Sequence, residues 1–104
     1  MTVTEQSDVV PEAVGRFKDA ISADSRLLVL LRLLRQPQTF PQLVAALDVS
    51  PAGCRQALDA LEKAGYITPD APGSGLRKRP NTVFCVVRGA IAADLGELVR
   101  AFAS

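Results

Sequence analysis

Two helix-start signals that lie close together most constrain the fold of this chain. Residues 39–42, Thr-Phe-Pro-Gln, have the pattern of a capping box, in which the first side chain accepts from the fourth backbone N–H and the fourth side chain reaches back. Ser50 followed by Pro51 is typical of a second helix start. The sequence therefore predicts two helices, about 40–47 and 51–64, joined by a tight turn.

Apolar residues at helical spacing predict further helices on both sides of this pair. We expect one over about 9–21, with Pro11 in its first turn, and one over 23–35, capped by Ser22. The second is apolar nearly all round, so it should be central in the core. A terminal helix should span about 90–103. The stripes of the first and the terminal helix are Val10, Val14, Phe17 and Ile21, and Ile91, Leu95, Leu98 and Phe102.

Two β-prone segments follow the helix at 51–64. They lie at 66–68 and 82–87, and the stretch between them is rich in Pro, Gly and Ser. Gly65 is placed to end the preceding helix in the left-handed conformation. The pattern predicts a long β-hairpin, so the fold class is mainly α with a small β-hairpin.

The residue content excludes much chemistry. Of the 104 residues none is His, which removes the usual general base and the imidazole metal ligand. Cys54 and Cys85 are too few for an all-Cys zinc site and are read as small buried hydrophobes, with a thiol sensor as the weaker alternative. Paired carboxylates and a phosphate-binding glycine loop are also missing. We expect no catalytic residue, no metal and no cofactor, so the chain is not predicted to be an enzyme.

The sequence shows no apolar run of the length that spans a membrane and no basic-then-apolar leader, so we expect a cytoplasmic protein that makes no membrane contact. A net charge of +1 hides a local excess, because residues 71–93 contain four basic residues and no acidic one. Phosphates respond to charge within about 8–10 Å, so this local field matters more than the total.

The order of elements is more specific than any one of them. A short helix, a tight turn and a second helix form a helix-turn-helix candidate, and the hairpin directly after it makes a winged one. We predict a flexible tail at 1–8 and one domain at 9–104, with the helix-turn-helix at about 39–64 and the wing at about 66–87.

Residues from Arg26 to about Phe102, roughly three quarters of the chain, also resemble a known family. They are similar to the small bacterial winged helix-turn-helix transcriptional regulators of the MarR and ArsR groups. The resembling segments are RLLVLLRLL at 26–34, TFPQLVAAL at 39–47, VSPA at 49–52, LDALEKAGYI at 58–67 and RPNTVF at 79–84. The resemblance implies a homodimer that binds double-stranded, pseudo-palindromic operator DNA.

A regulator of this kind places its second helix, here 51–64, in the major groove. Arg55 would pair with guanine and Gln56 with adenine, while Thr39 and Ser50 would donate to phosphate. The basic wing at 76–80 would lie on the backbone or in the minor groove. The predicted DNA-binding residues are Thr39, Ser50, Pro51, Ala52, Arg55, Gln56, Lys63, Arg77, Lys78 and Arg79.

The apolar stripes of the first and the terminal helix exceed what so small a core needs, so we expect them to form the dimer interface. Nothing in the sequence identifies a small-molecule effector. One alternative stays open, which is a degenerate winged helix that binds protein and not DNA.

Overall fold

The computed structural model describes residues 10–70 and 81–103. Within them the chain forms five helices and three strands. Their bounds, in chain order, are α1 Glu12–Ala20, α2 Asp24–Arg35, β1 Gln38–Thr39, α3 Phe40–Ala46, α4 Pro51–Lys63, β2 Ile67–Pro69, β3 Val83–Val86 and α5 Arg88–Ala103. In this described part no helix is both long and apolar enough to cross a bilayer. The predicted tail at 1–8 and most of the wing loop lie outside the described residues.

Both predicted helix starts in the middle of the chain are confirmed. The Gln42 backbone N–H donates to Thr39 Oγ1 at 3.2 Å, and the Thr39 N–H donates to Gln42 Oε1 at 2.9 Å. Ser50 Oγ accepts from the Gly53 N–H at 2.9 Å. These bonds satisfy N–H groups that a helix start otherwise leaves without a partner. They fix where α3 and α4 begin, and four residues separate the two helices.

The end of α4 is set by a left-handed glycine. Gly65 has a φ of 84° and is the one described residue with a positive φ. The Gly65 N–H donates to the Glu62 carbonyl at 2.9 Å, and the Tyr66 N–H donates to the Leu61 carbonyl at 3.0 Å. The chain thereby turns out of the helix and enters β2.

The predicted hairpin supplies two strands, β2 and β3, of a three-stranded antiparallel sheet with strand order β1-β3-β2. In it Ile67 lies opposite Val86. The prediction missed β1, whose Thr39 lies opposite Val83. That strand has two residues, too few for any alternation of apolar and polar side chains, and Thr39 was interpreted only as the cap of the helix that follows.

Helices α2 and α4 pack against each other and, with the sheet, enclose the core. Its fully buried members include Val29, Leu43, Leu61 and Tyr66. Cys54 is also fully buried, as predicted, whereas Cys85 is half-buried. Burial raises the pKa of the Cys54 thiol.

Three details of the helix predictions were wrong. Val10 and Ile21 lie outside α1, and Pro11 precedes its first residue. Ser22 does not cap α2, because its hydroxyl donates to the Asp19 carbonyl and so completes the end of α1. Nor do all sides of α2 pack against the core. It buries Val29, Leu30 and Leu33, while Leu27, Leu28 and Leu31 are exposed, Leu31 by 49%.

The backbone conformation of Gly65 yields a first prediction. A Cβ at this position would meet no heavy atom within 4 Å, so replacement is opposed by the positive φ alone. Gly65→Ala should lower the free energy of unfolding by about 1–2 kcal/mol, the usual cost of a left-handed L-residue. Gly89→Ala is the matched control, since Gly89 has equal space and no positive φ. Denaturant titration measures both, and equal stabilities of the two variants would refute this account of the turn.

Candidate nucleic-acid interface

Helix α4 has one buried and one exposed side. The buried side, Cys54, Ala57, Leu58 and Leu61, belongs to the core. The side chains that the sequence analysis assigned to DNA lie opposite and are exposed. They are Pro51, Ala52, Arg55, Gln56 and Lys63. A helical face with two basic side chains and the acidic Asp59 is therefore open to solvent.

A side chain at position 53 would crowd the cap of α4 and require it to shift by a few tenths of an ångström. A Cβ on Gly53 would lie 3.1 Å from Ser50 Oγ, the atom that caps the helix. The glycine lowers helix propensity by roughly 0.5–1 kcal/mol relative to alanine. The close approach of position 53 to the cap accounts for a glycine there. The Ser50 side chain stays exposed at the start of α4.

Arg55 lies over an aromatic ring of the neighbouring helix. Its guanidinium carbon is 4.5 Å from the centroid of Phe40, the first residue of α3. This distance is well inside the range of a cation–π contact. The sequence analysis placed Arg55 on the exposed face correctly but did not identify Phe40 as its neighbour.

The cations of the predicted wing fall in a part of the chain that is not described. Arg77, Lys78 and Arg79 lie between Asp70 and Asn81, outside the described residues. The base of the hairpin is well defined, because the Asp70 N–H donates to the Val83 carbonyl at 2.8 Å and the Val83 N–H donates to Asp70 Oδ1 at 3.1 Å. Asp70 and Val83, which lie on either side of the segment with the three cations, are therefore hydrogen-bonded neighbours.

Two other basic side chains are used within the protein. Arg26 donates to the Asp19 carbonyl at 2.7 Å and to Ser22 Oγ at 3.1 Å. Arg88 donates to the Leu34 carbonyl at 2.5 Å. Each binds carbonyl groups at the end of a helix, where a cation is favoured by the helix dipole.

A buried carboxylate joins the terminal helices to the end of α4. Asp94 is only 5% exposed. It accepts two hydrogen bonds from Arg16, from Nε and Nη2, both at 2.8 Å, and one from the Tyr66 hydroxyl at 2.7 Å. Tyr66 follows Gly65 directly, and its ring is tilted against that of Phe17 with centroids 6.2 Å apart. This Asp94 network connects α1 and α5 with the residue at which the chain leaves α4.

The charges of the network act on one another. The hydrogen bonds from Arg16, then the one from Tyr66, lower the pKa of Asp94 from 3.8 to about 2. The bond to Asp94 raises the pKa of Arg16. Burial, and then the hydrogen bond to Asp94, raise the pKa of Tyr66. At neutral pH the carboxylate is therefore ionised although it is buried, because two donors satisfy it.

The sequence analysis missed Asp94 and Arg16. A signal was present, since Asp94 falls within the apolar stripe of the last helix, three residues after Ile91 and one before Leu95. A charge on an apolar face has to find a partner when the face is buried.

The predicted dimer residues divide into two groups. Phe17, Ile21 and Ile91 are half-buried and pack against the monomer's own core. Leu95 and Phe102 are exposed, Phe102 by 83%, and Val99 between them is exposed as well. On α5 these three residues are spaced i, i+4 and i+7, so they share one face. Val10 is exposed, and Val14 and Leu98 are half-buried.

Part of the chain matches a known family. Residues 24–68, just under half of the chain, match the family described as bacterial regulatory protein, arsR family. The matched segment begins with α2 and ends in β2, so it contains the whole helix-turn-helix. No curated protein matches the sequence significantly.

Solved structures with the same fold extend the likeness to both ends of the chain. An ArsR-like transcriptional regulator from Rhodococcus sp. RHA1 is 21% identical, with a TM-score of 0.72 over 88% of this chain and 80% of its own. A homodimeric winged helix-turn-helix DNA-binding domain from Mycobacterium bovis, of a possible ArsR-family regulator, is 17% identical. Its TM-score is 0.61 over 99% of this chain and 87% of its own. The chain thus has the winged helix-turn-helix fold that the sequence predicted.

The Asp94 network predicts how stability depends on pH. Asp94→Asn keeps the size of the side chain and removes the charge that Arg16 binds. Because the pKa of Asp94 is lowered in the folded state, its contribution is complete above the unfolded pKa near 4 and is lost as the pH falls toward 2. At pH 7 the variant should unfold with about 2 kcal/mol less free energy than the wild type, and the difference should shrink below pH 4.

Denaturant titrations between pH 7 and pH 2 measure this difference. Asp48→Asn is the control, because Asp48 is an exposed carboxylate of the turn before α4. It should follow the wild type throughout. A deficit of Asp94→Asn that stayed constant down to pH 2 would show that the ion pair is not its cause.

Proposed function

We propose that this chain, which carries an arsR-family helix-turn-helix domain at residues 24–68, is a sequence-specific DNA-binding transcriptional regulator that acts as a homodimer. The observation that carries the proposal is the open face of α4, whose opposite side is held by the core and whose side chains are exposed to solvent. Because bacterial DNA lies in the cytoplasm, the proposal also places the chain there.

In this proposal α4 enters the major groove, which is wide enough for a helix. Arg55 and Gln56 lie one and a half turns from the helix start, where side chains of such a helix reach base edges. Arg55 donates to guanine O6 and N7, and Gln56 pairs with adenine. Pro51 and Ala52 contact thymine methyl groups, and Lys63, at the far end, binds phosphate.

Two hydroxyl groups at helix starts position the duplex. Thr39 Oγ1 and Ser50 Oγ each accept a backbone N–H, and each keeps its own O–H to donate. Phosphate oxygens are suitable acceptors, and such contacts set register without reading sequence. Arg77, Lys78 and Arg79 of the wing loop then bind the backbone or the adjacent minor groove.

The dimer follows from the exposed faces of the terminal helices. A two-fold axis that pairs Leu95, Val99 and Phe102 of α5 with the same residues of a second copy would bury the largest exposed apolar side chain of the described part. Val14 of α1, Leu98 of α5 and Val10, just before α1, would extend the contact, and Phe17, Ile21 and Ile91 would support it from the core. Such an axis must set the two copies of α4 about 34 Å apart, one turn of DNA.

The DNA-binding proposal is tested by the salt dependence of affinity. The wild type should bind a set of fragments of its genome and lose affinity steeply between 50 and 200 mM salt, since each phosphate contact releases counterions. Replacing Arg77, Lys78 and Arg79 by Ala should weaken binding to all fragments. It should also flatten the slope of log affinity against log salt by up to about 3 per subunit.

Lys18→Ala serves as the control for this measurement. Lys18 is an exposed cation of α1, away from the proposed interface, and it should leave the slope unchanged. An unaltered slope in the triple variant would remove the wing from the interface. Absence of binding to any fragment at 50 mM salt would contradict the proposal and favour a winged helix that binds protein.

The proposed dimer is tested by sedimentation equilibrium. The wild type should have twice the mass of one chain at micromolar concentration, and the double variant Leu95→Asp, Phe102→Asp should be monomeric, because a shared apolar contact cannot hold four buried charges. Leu31→Asp is the control, since it places the same charge on an exposed leucine of α2. A monomeric wild type, or dissociation caused by Leu31→Asp alone, would contradict the proposed interface.

A further inference from the structure

We infer that Phe40 is a positioning residue, which holds the guanidinium of Arg55 ready to read one guanine in the major groove. The inference rests on the proposed function and adds to it a specificity determinant outside the helix that enters the groove. It starts from the contact in which the Arg55 guanidinium carbon lies 4.5 Å from the centre of the Phe40 ring.

The ring is a fixed platform. Phe40 is half-buried and packs against the core, and its backbone lies next to the capping-box residue Thr39. Its position is therefore determined on one side by packing and on the other by the helix start. A cation–π contact with such a ring restricts the long side chain of Arg55 before any ligand arrives.

The contact with Phe40 does not use up the hydrogen-bond donors of the guanidinium. The five N–H donors of arginine lie in the plane of the group and point outward from its central carbon, and that carbon is the atom that lies over the ring. Among residues 10–70 and 81–103, no group accepts a hydrogen bond from Arg55. Arg16, Arg26 and Arg88 differ in this respect, because their donors are bound to a carboxylate or to carbonyl oxygens. Arg55 is held in place with its donors unused.

The chemistry of such a group matches guanine. The planar fork of arginine donates to O6 and N7 of guanine at once, and the pair depends on the angle at which the fork arrives. A fork whose plane is set by an aromatic ring arrives at one angle and loses little freedom on binding. The platform belongs to α3 and the reader to α4, so the packing of the two helices fixes that angle.

The test measures discrimination and not affinity alone. Fragments selected with the wild type define a binding site, and each G·C pair of that site is then exchanged in turn. Arg55→Ala should lose roughly tenfold or more of the discrimination at one G·C pair per half-site. Phe40→Leu, which keeps an apolar side chain but has no ring face, should lose several-fold at the same pair and leave the salt slope unchanged. Phe40→Tyr keeps the ring and should retain discrimination.

A double-variant cycle and a spectroscopic measurement separate positioning from folding. In the Arg55→Ala background, Phe40→Leu should cause no further loss of discrimination, because there is no guanidinium left to position. In the free protein, NMR relaxation of the Arg55 Nε–H should show restricted motion in the wild type and in Phe40→Tyr. In Phe40→Leu the motion should approach that of the exposed Arg35.

Three outcomes would overturn the inference. One is unchanged discrimination in Phe40→Leu. Another is an equal loss at every base pair, which would make Phe40 a purely structural residue. The third is a mobile Arg55 side chain in the wild type, which NMR relaxation of the free protein measures without DNA and without any variant. The first two are measured on a wild type that binds DNA and the third does not depend on binding, so the proposed function survives all three. Absence of wild-type binding at low salt would overturn both.

Discussion

The ionised Asp94 is the constraint on which the arrangement of this fold depends. A carboxylate that is 5% exposed is tolerable only with donors around it, and here both donors come from distant parts of the chain, Arg16 and Tyr66. The terminal helices are therefore fixed to each other, and to the point where the chain leaves α4, by directional bonds in addition to apolar contact. Apolar packing alone would let α5 slide or rotate along α1.

The Asp94 network fixes the two terminal helices, α1 and α5, relative to the end of α4. Helix α5 carries the exposed stripe that we propose for self-association, and Tyr66 terminates the segment that we propose for the groove. In a dimer built on α5, the distance between the two copies of α4 would then be set through Asp94. The fold is shared with structures that are about one fifth identical in sequence, so it tolerates extensive sequence change.

Local signals in the sequence predicted most of the fold, and long-range pairings account for what was missed. The capping box at 39–42, the Ser50 cap and the Gly65 turn each act within six residues, so they can be recognised from the local sequence. Strand β1 is defined only by its partner β3, and the side chain of Arg16 finds Asp94 across 78 residues of sequence. The residues of α4 that were assigned to DNA do lie on its exposed side, yet the ring beneath Arg55 comes from another helix. The exposed leucines of α2 were misjudged for a related reason, since composition does not reveal how many neighbours a helix has.

The central position of β3 has a consequence for exchanging the helix-turn-helix unit, which contains α3 and α4, between proteins. The chain enters that unit from β1 and leaves it into β2, and both strands are bonded to β3, at Val83 and Val86. The two attachment points on β3, Val83 and Val86, are three residues apart, or about 10 Å along the strand. A segment from residue 40 to residue 66 could be grafted from a related fold as a cassette, provided that it ends in a tyrosine able to reach Asp94. Its length could vary at the inner turn without disturbing either junction.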